Sequence, residues 1–318
     1  MTHSYARQDF IMNTTVEQMV SGDDSERICA QVVSLLQDLE AMMSFFLDDS
    51  DVSTLNRYAG RPVSLHLETL SVLRCAKTFA QASGSAFDIT VAGVVDLWRS
   101  YAKRREIPPP GEIEARLEFV GDDHLVVNDQ TACLTTPGCS VDLGGIAKGF
   151  AAEQCIEFYR QQGIESAFIN LGGNVRTLGV KADGKDWRIG LQHPDKARGT
   201  LFGAVVAPDR AIVTSGGYER GVTVEDRFYH HIIDPRTGWP SISDLKSVTV
   251  ICEDSMAADA LATAAFVLGL DAGLALIRAH HGQAVFVTAD DKVYLTSGLR
   301  HSFQLDGTCG FSCYLAGT

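Results

Sequence analysis

The chain has 318 residues, with 27 Lys+Arg against 40 Asp+Glu, giving a formal charge of −13. So acidic a balance excludes nucleic-acid binding by blanket charge, because phosphate contacts need a basic face. With 45% apolar and 21% charged residues the chain is neither disordered nor fibrous, and its length suits one large domain or two intimately packed ones.

The opening stretch, Met1 to Asp9, is polar, and no apolar h-region or small-residue cleavage site follows it. No run of about 18 apolar residues occurs anywhere, so no transmembrane segment is expected. The sequence as written reads as cytoplasmic; it would be periplasmic if a leader had been removed. Residues 25–47 carry Ile28, Val32, Leu35, Leu36, Leu39, Met42 and Met43, a spacing that predicts an amphipathic helix. The stretch 48–60 is polar and turn-rich. Leu65 to Gln81 again has helical spacing, and the run Phe87-Asp88-Ile89-Thr90 reads as a strand with a turn-facing Asp. Pro108-Pro109-Pro110 marks a loop before a helix at 111–117, and strands are predicted at 124–128 and 132–135.

The second half then repeats one pattern: an apolar strand, a glycine pair, a new element. It occurs at Val141 to Gly145, Phe168 to Gly173 and Ile212 to Gly217. A strand at 247–251 leads into a helix over about 255–268, capped by Asp254 or Ser255 and stopped by Gly269. A helix at 271–280 and a strand at 284–288 follow. None of the eight cysteines forms a CxxC spacing; Cys309 and Cys313 read as two ordinary thiols, with a disulfide or metal pair as the alternative.

Three stretches carry possible chemistry. In Asp142-Leu143-Gly144-Gly145-Ile146-Ala147-Lys148-Gly149 a strand passes into a helix, where free backbone N–H groups suit a phosphate and Lys148 adds a point charge. A plain structural turn reads the same way. The segment matches neither GxGxxG nor GxxxxGK[ST], which excludes the common nucleotide fingerprints. The helix Met256 to Leu268 is apolar on nearly every side and therefore buried, yet Asp259 and Thr263 lie four apart on one face. A buried carboxylate must be compensated, by a hard cation with oxygen ligands such as Mg²⁺ or by a neighbouring hydrogen-bond donor. Finally, His230-His231-Ile232-Ile233-Asp234-Pro235-Arg236-Thr237-Gly238 reads as a strand entering a tight turn. Its two histidines point to opposite faces, so at most one serves a given site.

Together with Ser50 to Asn56, Ala86 to Val91, Asn170 to Gly173 and Thr214-Ser215-Gly216, these stretches occur in the order found in ApbE-type FAD:protein FMN transferases, and the chain resembles that family from about Phe10 to Ser302. The resemblance implies an α+β fold, a single unit with two packed β-sheet regions flanked by helices, spanning 10–302 with a tail at 303–318. It implies a transferase that cleaves FAD with Mg²⁺, attaches FMN through a phosphoester to a Thr or Ser of an acceptor flavoprotein and releases AMP. An FAD pyrophosphatase, with water replacing the hydroxyl, or a non-catalytic FAD-binding protein would use the same binding residues.

Carried over, Ala86, Phe87 and Asp88 would hold the flavin nucleotide, with Asp142, Lys148 and Ile233 also against FAD. The Gly145 carbonyl, Asp259 and Thr263 would hold the metal. His231 is the candidate general base for the acceptor hydroxyl, and Asp259 is its rival. The family's Met-Gly-Thr is here Met12-Asn13-Thr14, so Met12 would still pack on the adenine. A frequent aromatic Tyr is here Phe46, which keeps stacking and loses a hydroxyl.

Overall fold

The computed structural model describes residues 4–316. A hairpin opens the chain, β1 (Ser4–Ile11) and β2 (Thr14–Ser21), closed by Met12 and Asn13, both left-handed at φ 54° and 56°. Helix α1 (Ser25–Met43) follows, then α2 (Asp51–Arg57), a short β3 (Val63–Ser64) and α3 (Leu67–Ala82). The turn-rich reading of 48–60 is corrected here: Ser50 accepts from the Ser53 N–H at 3.0 Å, an N-cap that starts a seven-residue helix too short to show periodicity.

The next elements are α4 (Ala92–Ala102), α5 (Pro110–Leu117), β4 (Leu125–Val127) and β5 (Thr131–Leu134). Residues 87–90 form a turn rather than the expected strand, because Asp88 Oδ1 folds back to accept from Thr90 N and Oγ1 at 2.8 and 2.6 Å. Residues 141–143 are also not a strand. Their partner is a side chain: Asn56 clamps the Val141 N–H and C=O at 2.8 and 3.0 Å, while Asp142 N bonds Ile89 O.

Helix α6 (Ala147–Gln161) leads into β6 (Ser166–Leu171), β7 (Asn174–Leu178), β8 (Arg188–Gln192), β9 (Leu201–Val206), β10 (Ala211–Gly216) and the separate ribbon β11 (Gly221–Val224) with β12 (Arg227–His230). Then come β13 (Leu245–Cys252), α7 (Ser255–Leu268), α8 (Leu270–Ala279), β14 (Gln283–Thr288), β15 (Lys292–Leu295), β16 (Phe303–Leu305) and β17 (Ser312–Leu315). Asp254 caps α7 by accepting from Met256 N and Ala257 N, and Gly269 ends it at φ 82°.

Nine strands form one sheet in the order β1-β2-β6-β7-β10-β13-β14-β15-β17. Side chains alternate across it with period two. Val213, Val248, Val250, Ala284 and Phe286 point to the main core under α1, α3, α6, α7 and α8. Val175, Ile212, Ile251, Val285 and Val287 point the other way, onto the three-stranded sheet β16-β9-β8 and its Ile189, Phe202 and Val205. With both faces covered, the central strands read as near-continuous apolar runs. The fold is thus α+β, two sheets packed face to face with helices outside. No helix among the described residues is long and apolar enough to cross a membrane, and all eight cysteines are free thiols.

Two features bring loops together. The β1–β2 turn, the Gly172–Gly173 turn and the end of β10 lie at one end of the large sheet, since Val16 pairs with Leu171, Gly172 N bonds Thr15 O and Thr214 N bonds Gly173 O. Facing that end, α6 meets the start of α7 at Gly149, where a Cβ would strike the Ser255 carbonyl and stand 2.7 Å from Met256 Cα. Only glycine permits this approach. Gly149→Ala should therefore lower stability by about 1–3 kcal/mol through overpacking against backbone that cannot yield. Thermal melting checks this; a variant that melts with the wild type would refute the contact.

Candidate functional site

At the α6–α7 junction, Asp259 lies one turn into α7 and is only 4% exposed. Its Oδ2 accepts from the Gly149 backbone N–H at 3.0 Å, with the Lys148 ammonium 4.0 Å away. The buried carboxylate is thus compensated by a donor and a charge, the second of the alternatives open in the sequence. The first stays available, because Asp259 Oδ1 takes no hydrogen bond from any described residue.

The Gly145 carbonyl lies just before α6. Gly149 is the third residue of that helix, so its N–H has no carbonyl partner within it. Here it goes to Asp259, and Lys148 Nζ bonds the Gly144 carbonyl at 2.7 Å. The Gly145 carbonyl is left without a hydrogen bond among the described residues. Gly145 packs closely here, for a Cβ there would lie 3.2 Å from the Phe87 ring and 3.7 Å from Thr263 Oγ1. Thr263, one turn beyond Asp259, touches Ser215 Oγ at 3.3 Å.

One carboxylate oxygen, one hydroxyl and one carbonyl therefore stand unsatisfied or weakly bonded side by side. All are hard oxygen donors, which fits Mg²⁺ and not a soft metal. No group of three His, Cys, Asp or Glu side chains that could hold an ion is gathered among the described residues. The set suits an ion that keeps water and takes its remaining ligands from substrate phosphates.

The histidines separate by their partners. His230 bonds Ser241 O and Ile232 N through its two ring nitrogens, at 2.9 and 3.2 Å, so both are used; burial lowers its pKa. His231 bonds only Arg220 O, through Nδ1 at 3.1 Å. That carbonyl can only accept, so Nδ1 carries the proton and Nε2 keeps its lone pair. Although the ring retains an exposed edge, crowding by protein pushes its pKa down to about 4; the Arg220 carbonyl opposes the shift, and the positive charges of Arg220 and Lys148 add to it. The Lys148 charge is thus felt at His231, while His230 meets Phe266 of α7 edge-on at 5.4 Å.

The remaining expected residues divide. Met12 sits half-buried in the β1–β2 turn, which Arg220 Nη2 ties down through Asn13 O at 3.2 Å. Asp142 Oδ1 accepts from Gly144 N at 2.8 Å, which fixes the glycine turn, and Oδ2 faces Arg99 at 3.7 Å. Ala86, Phe87 and Asp88 are buried, so mainly backbone would meet a ligand there. Asp88 Oδ2 is buried without a partner, and desolvation raises its pKa against the bonds from Thr90. The Ile233 side chain packs with Val94, Leu97, Trp98 and Ile113 under α4 and α5, again leaving backbone for a ligand.

Sequence reasoning assigned no role to Ser215, Arg220 or Arg99. Ser215 lies in the strand-glycine motif Ile212 to Gly217, a usable signal; Arg220 and Arg99 carry none, being charged residues in a loop and on an amphipathic helix.

The sequence model of the ApbE family matches residues 12–287. A FAD:protein FMN transferase of Klebsiella pneumoniae is 36% identical, over 88% of this chain and 88% of its own. One from Treponema pallidum is also 36% identical, over 85% and 79%. Among solved structures, the ApbE protein of Thermotoga maritima superimposes with a TM-score of 0.87 at 30% identity, covering 93% of this chain and 98% of its own. The flavin transferase ApbE of Vibrio cholerae gives 0.84 at 29%, covering 95% and 100%.

The His231 ring should stay neutral until the pH falls towards about 4, whereas an ordinary imidazole titrates near 6.5. NMR titration of its ring protons measures this directly, and a midpoint at 6.5 would refute the crowded neutral ring.

Proposed function

The chain belongs to the ApbE family, and from that premise we infer that it is a FAD:protein FMN transferase. It takes FAD as substrate and a flavoprotein as acceptor, through a Thr or Ser of the acceptor's flavinylation motif. The observation that carries the reading in this chain is the oxygen set between α6 and α7: the unbonded carboxylate oxygen of Asp259, the Thr263 hydroxyl and the open Gly145 carbonyl.

In the reaction, the acceptor hydroxyl oxygen forms a bond to the FMN phosphorus while the pyrophosphate P–O bond breaks, and AMP leaves. His231 Nε2 takes the hydroxyl proton; the Nδ1 bond to Arg220 holds the tautomer this requires. Asp259 is the weaker candidate for base, since Oδ2 is already committed to Gly149. Asp259 Oδ1, Thr263 Oγ1 and the Gly145 carbonyl would hold Mg²⁺, which when bound supplies charge stabilisation to phosphoryl oxygens. Lys148 and the Gly145 backbone amide would stabilise the same charge, the Gly144 amide being held by Asp142. Met12, Asp142 and the backbone of Ala86 to Asp88 and Ile233 would line the nucleotide.

The reading is tested by incubating the protein with FAD, Mg²⁺ and an acceptor fragment carrying a Ser/Thr flavinylation motif, then weighing the acceptor. Added FMN is expected; an unmodified acceptor would overturn the function. Asp259→Ala should abolish metal-dependent transfer, and unchanged turnover would refute the metal assignment. His231→Gln should lower kcat by roughly 10²–10⁴, the range of a lost general base, with FAD binding retained. In the wild type, activity should persist at mildly acidic pH and fade only as His231 gains its proton, because the depressed pKa delays loss of the basic form; an acid limb at 6.5 would point to another base.

A further inference from the structure

We propose that Arg99 is a substrate-binding residue, reading the edge of a planar heterocycle of the dinucleotide together with Asp142 and with Phe46 as the stacking face. The proposal rests on the flavin-transfer reading and adds a residue that none of the recurrent motifs contains.

Arg99 lies in the last turn of α4. Its guanidinium carbon stands 4.9 Å from the Phe46 ring centre and 5.6 Å from that of Phe45. The loop that presents these rings is fixed: Ser50 Oγ donates to Ser44 O at 2.6 Å, and Phe46 N donates to Ser44 Oγ at 3.1 Å. Phe46 is nonetheless 62% exposed. With the guanidinium over one face, the exposed remainder of this fixed ring is a stacking surface for a flat ligand.

The guanidinium itself is unsatisfied. It has five donors, yet it makes no hydrogen bond to any described residue, and Nη1 is buried without a partner. Asp96 and Asp142 approach only to 3.6 and 3.7 Å, beyond hydrogen-bond reach. Asp142 spends Oδ1 on Gly144 N, which leaves Oδ2 as a free acceptor beside the free donors of Arg99. About a third of the Arg99 side chain is exposed, so the group is reachable.

Charge decides what it would take. One guanidinium between two carboxylates already leaves a negative excess, so a phosphate would be repelled. A neutral acceptor next to an N–H donor fits instead: Arg99 gives to the acceptor and Asp142 Oδ2 receives from the donor. Flavin and adenine rings both present such an edge. Asp142 also anchors the Gly144–Gly145 turn through Gly144 N, so a ring gripped there lies next to the phosphate end of the site.

The test compares wild type, Arg99→Met, which keeps an apolar stem against Phe46, and Arg99→Lys, which keeps the charge and loses the planar fork. Dissociation constants for FAD, FMN, AMP, riboflavin and adenosine are measured, with melting curves and steady-state transfer rates. Arg99→Met should bind FAD about ten- to a hundredfold more weakly, the worth of a lost charged hydrogen bond. The loss should fall on KM for FAD, with kcat within about threefold of wild type, because the contact is remote from the bond that breaks. Arg99→Lys should lie in between.

Weakening of FMN and riboflavin but not AMP assigns the flavin ring; weakening of AMP and adenosine but not FMN assigns the adenine. Loss of FMN and AMP together, with riboflavin and adenosine unaffected, would make the contact a phosphate and overturn the proposal, as would unaltered affinity for all five ligands. Should Arg99→Met not fold, Arg99→Lys with wild-type melting and wild-type FAD affinity would overturn it too. A wild type that neither binds FAD nor modifies an acceptor would instead fell the parent reading.

Discussion

One hydrogen bond holds the junction of α6 and α7: the Gly149 backbone N–H to the Asp259 carboxylate. It crosses between two helices, and it forms only because the missing side chain at Gly149 lets α6 touch the backbone of α7. The bond satisfies half of a carboxylate that burial would otherwise penalise by several kcal/mol. It also gives a partner to an N–H that the start of α6 leaves without one. Packing, electrostatic compensation and helix capping are thus one event. A change that pushed the helices apart by the width of a methyl group would disturb all three together.

The sheet supplies the rest of the frame. Because strand pairing sets neighbours at fixed spacing, the turns at Met12–Asn13 and Gly172–Gly173 and the end of β10 are held at one edge of the site. The β11–β12 ribbon pairs only with itself and leans on α4 through Tyr229 stacked on Trp98 at 5.7 Å. With the Trp98 Nε1 bond to Gly238 O at 2.8 Å, α4 thus holds both the ribbon and the turn that follows it.

Much of this was legible in the chain. Helix α7 announces itself by its cap at Asp254, its stop at Gly269 and its all-round apolar character, and the spacing of Asp259 and Thr263 follows from helical geometry alone. The strand-glycine pattern holds at Gly172 and Gly216 but fails at 141–143, where Asn56 from 85 residues away stands in for a strand. No local pattern encodes so distant a partner. Residues 87–90 fail for the opposite reason: the Asp88–Thr90 bonds are local, and they compete with a strand that apolar content alone suggests. Arg99 is invisible for a third reason. On an amphipathic helix an arginine is ordinarily a solvated face residue, and only the unbonded guanidinium beside an exposed ring distinguishes it.

The order of the strands carries a consequence for synthesis. β2 finds its second neighbour in β6, some 150 residues further on, and β10 lies between β7 and β13. Contacts of such long range close slowly, since the intervening chain must be made and ordered first. The residues proposed to face the ligand run from Met12 to Thr263, so a growing chain holds most of its sheet before it holds that site. Until α7 has left the ribosome, no nucleotide can stabilise the folding protein by binding it. The nascent chain must reach its near-complete form on packing alone.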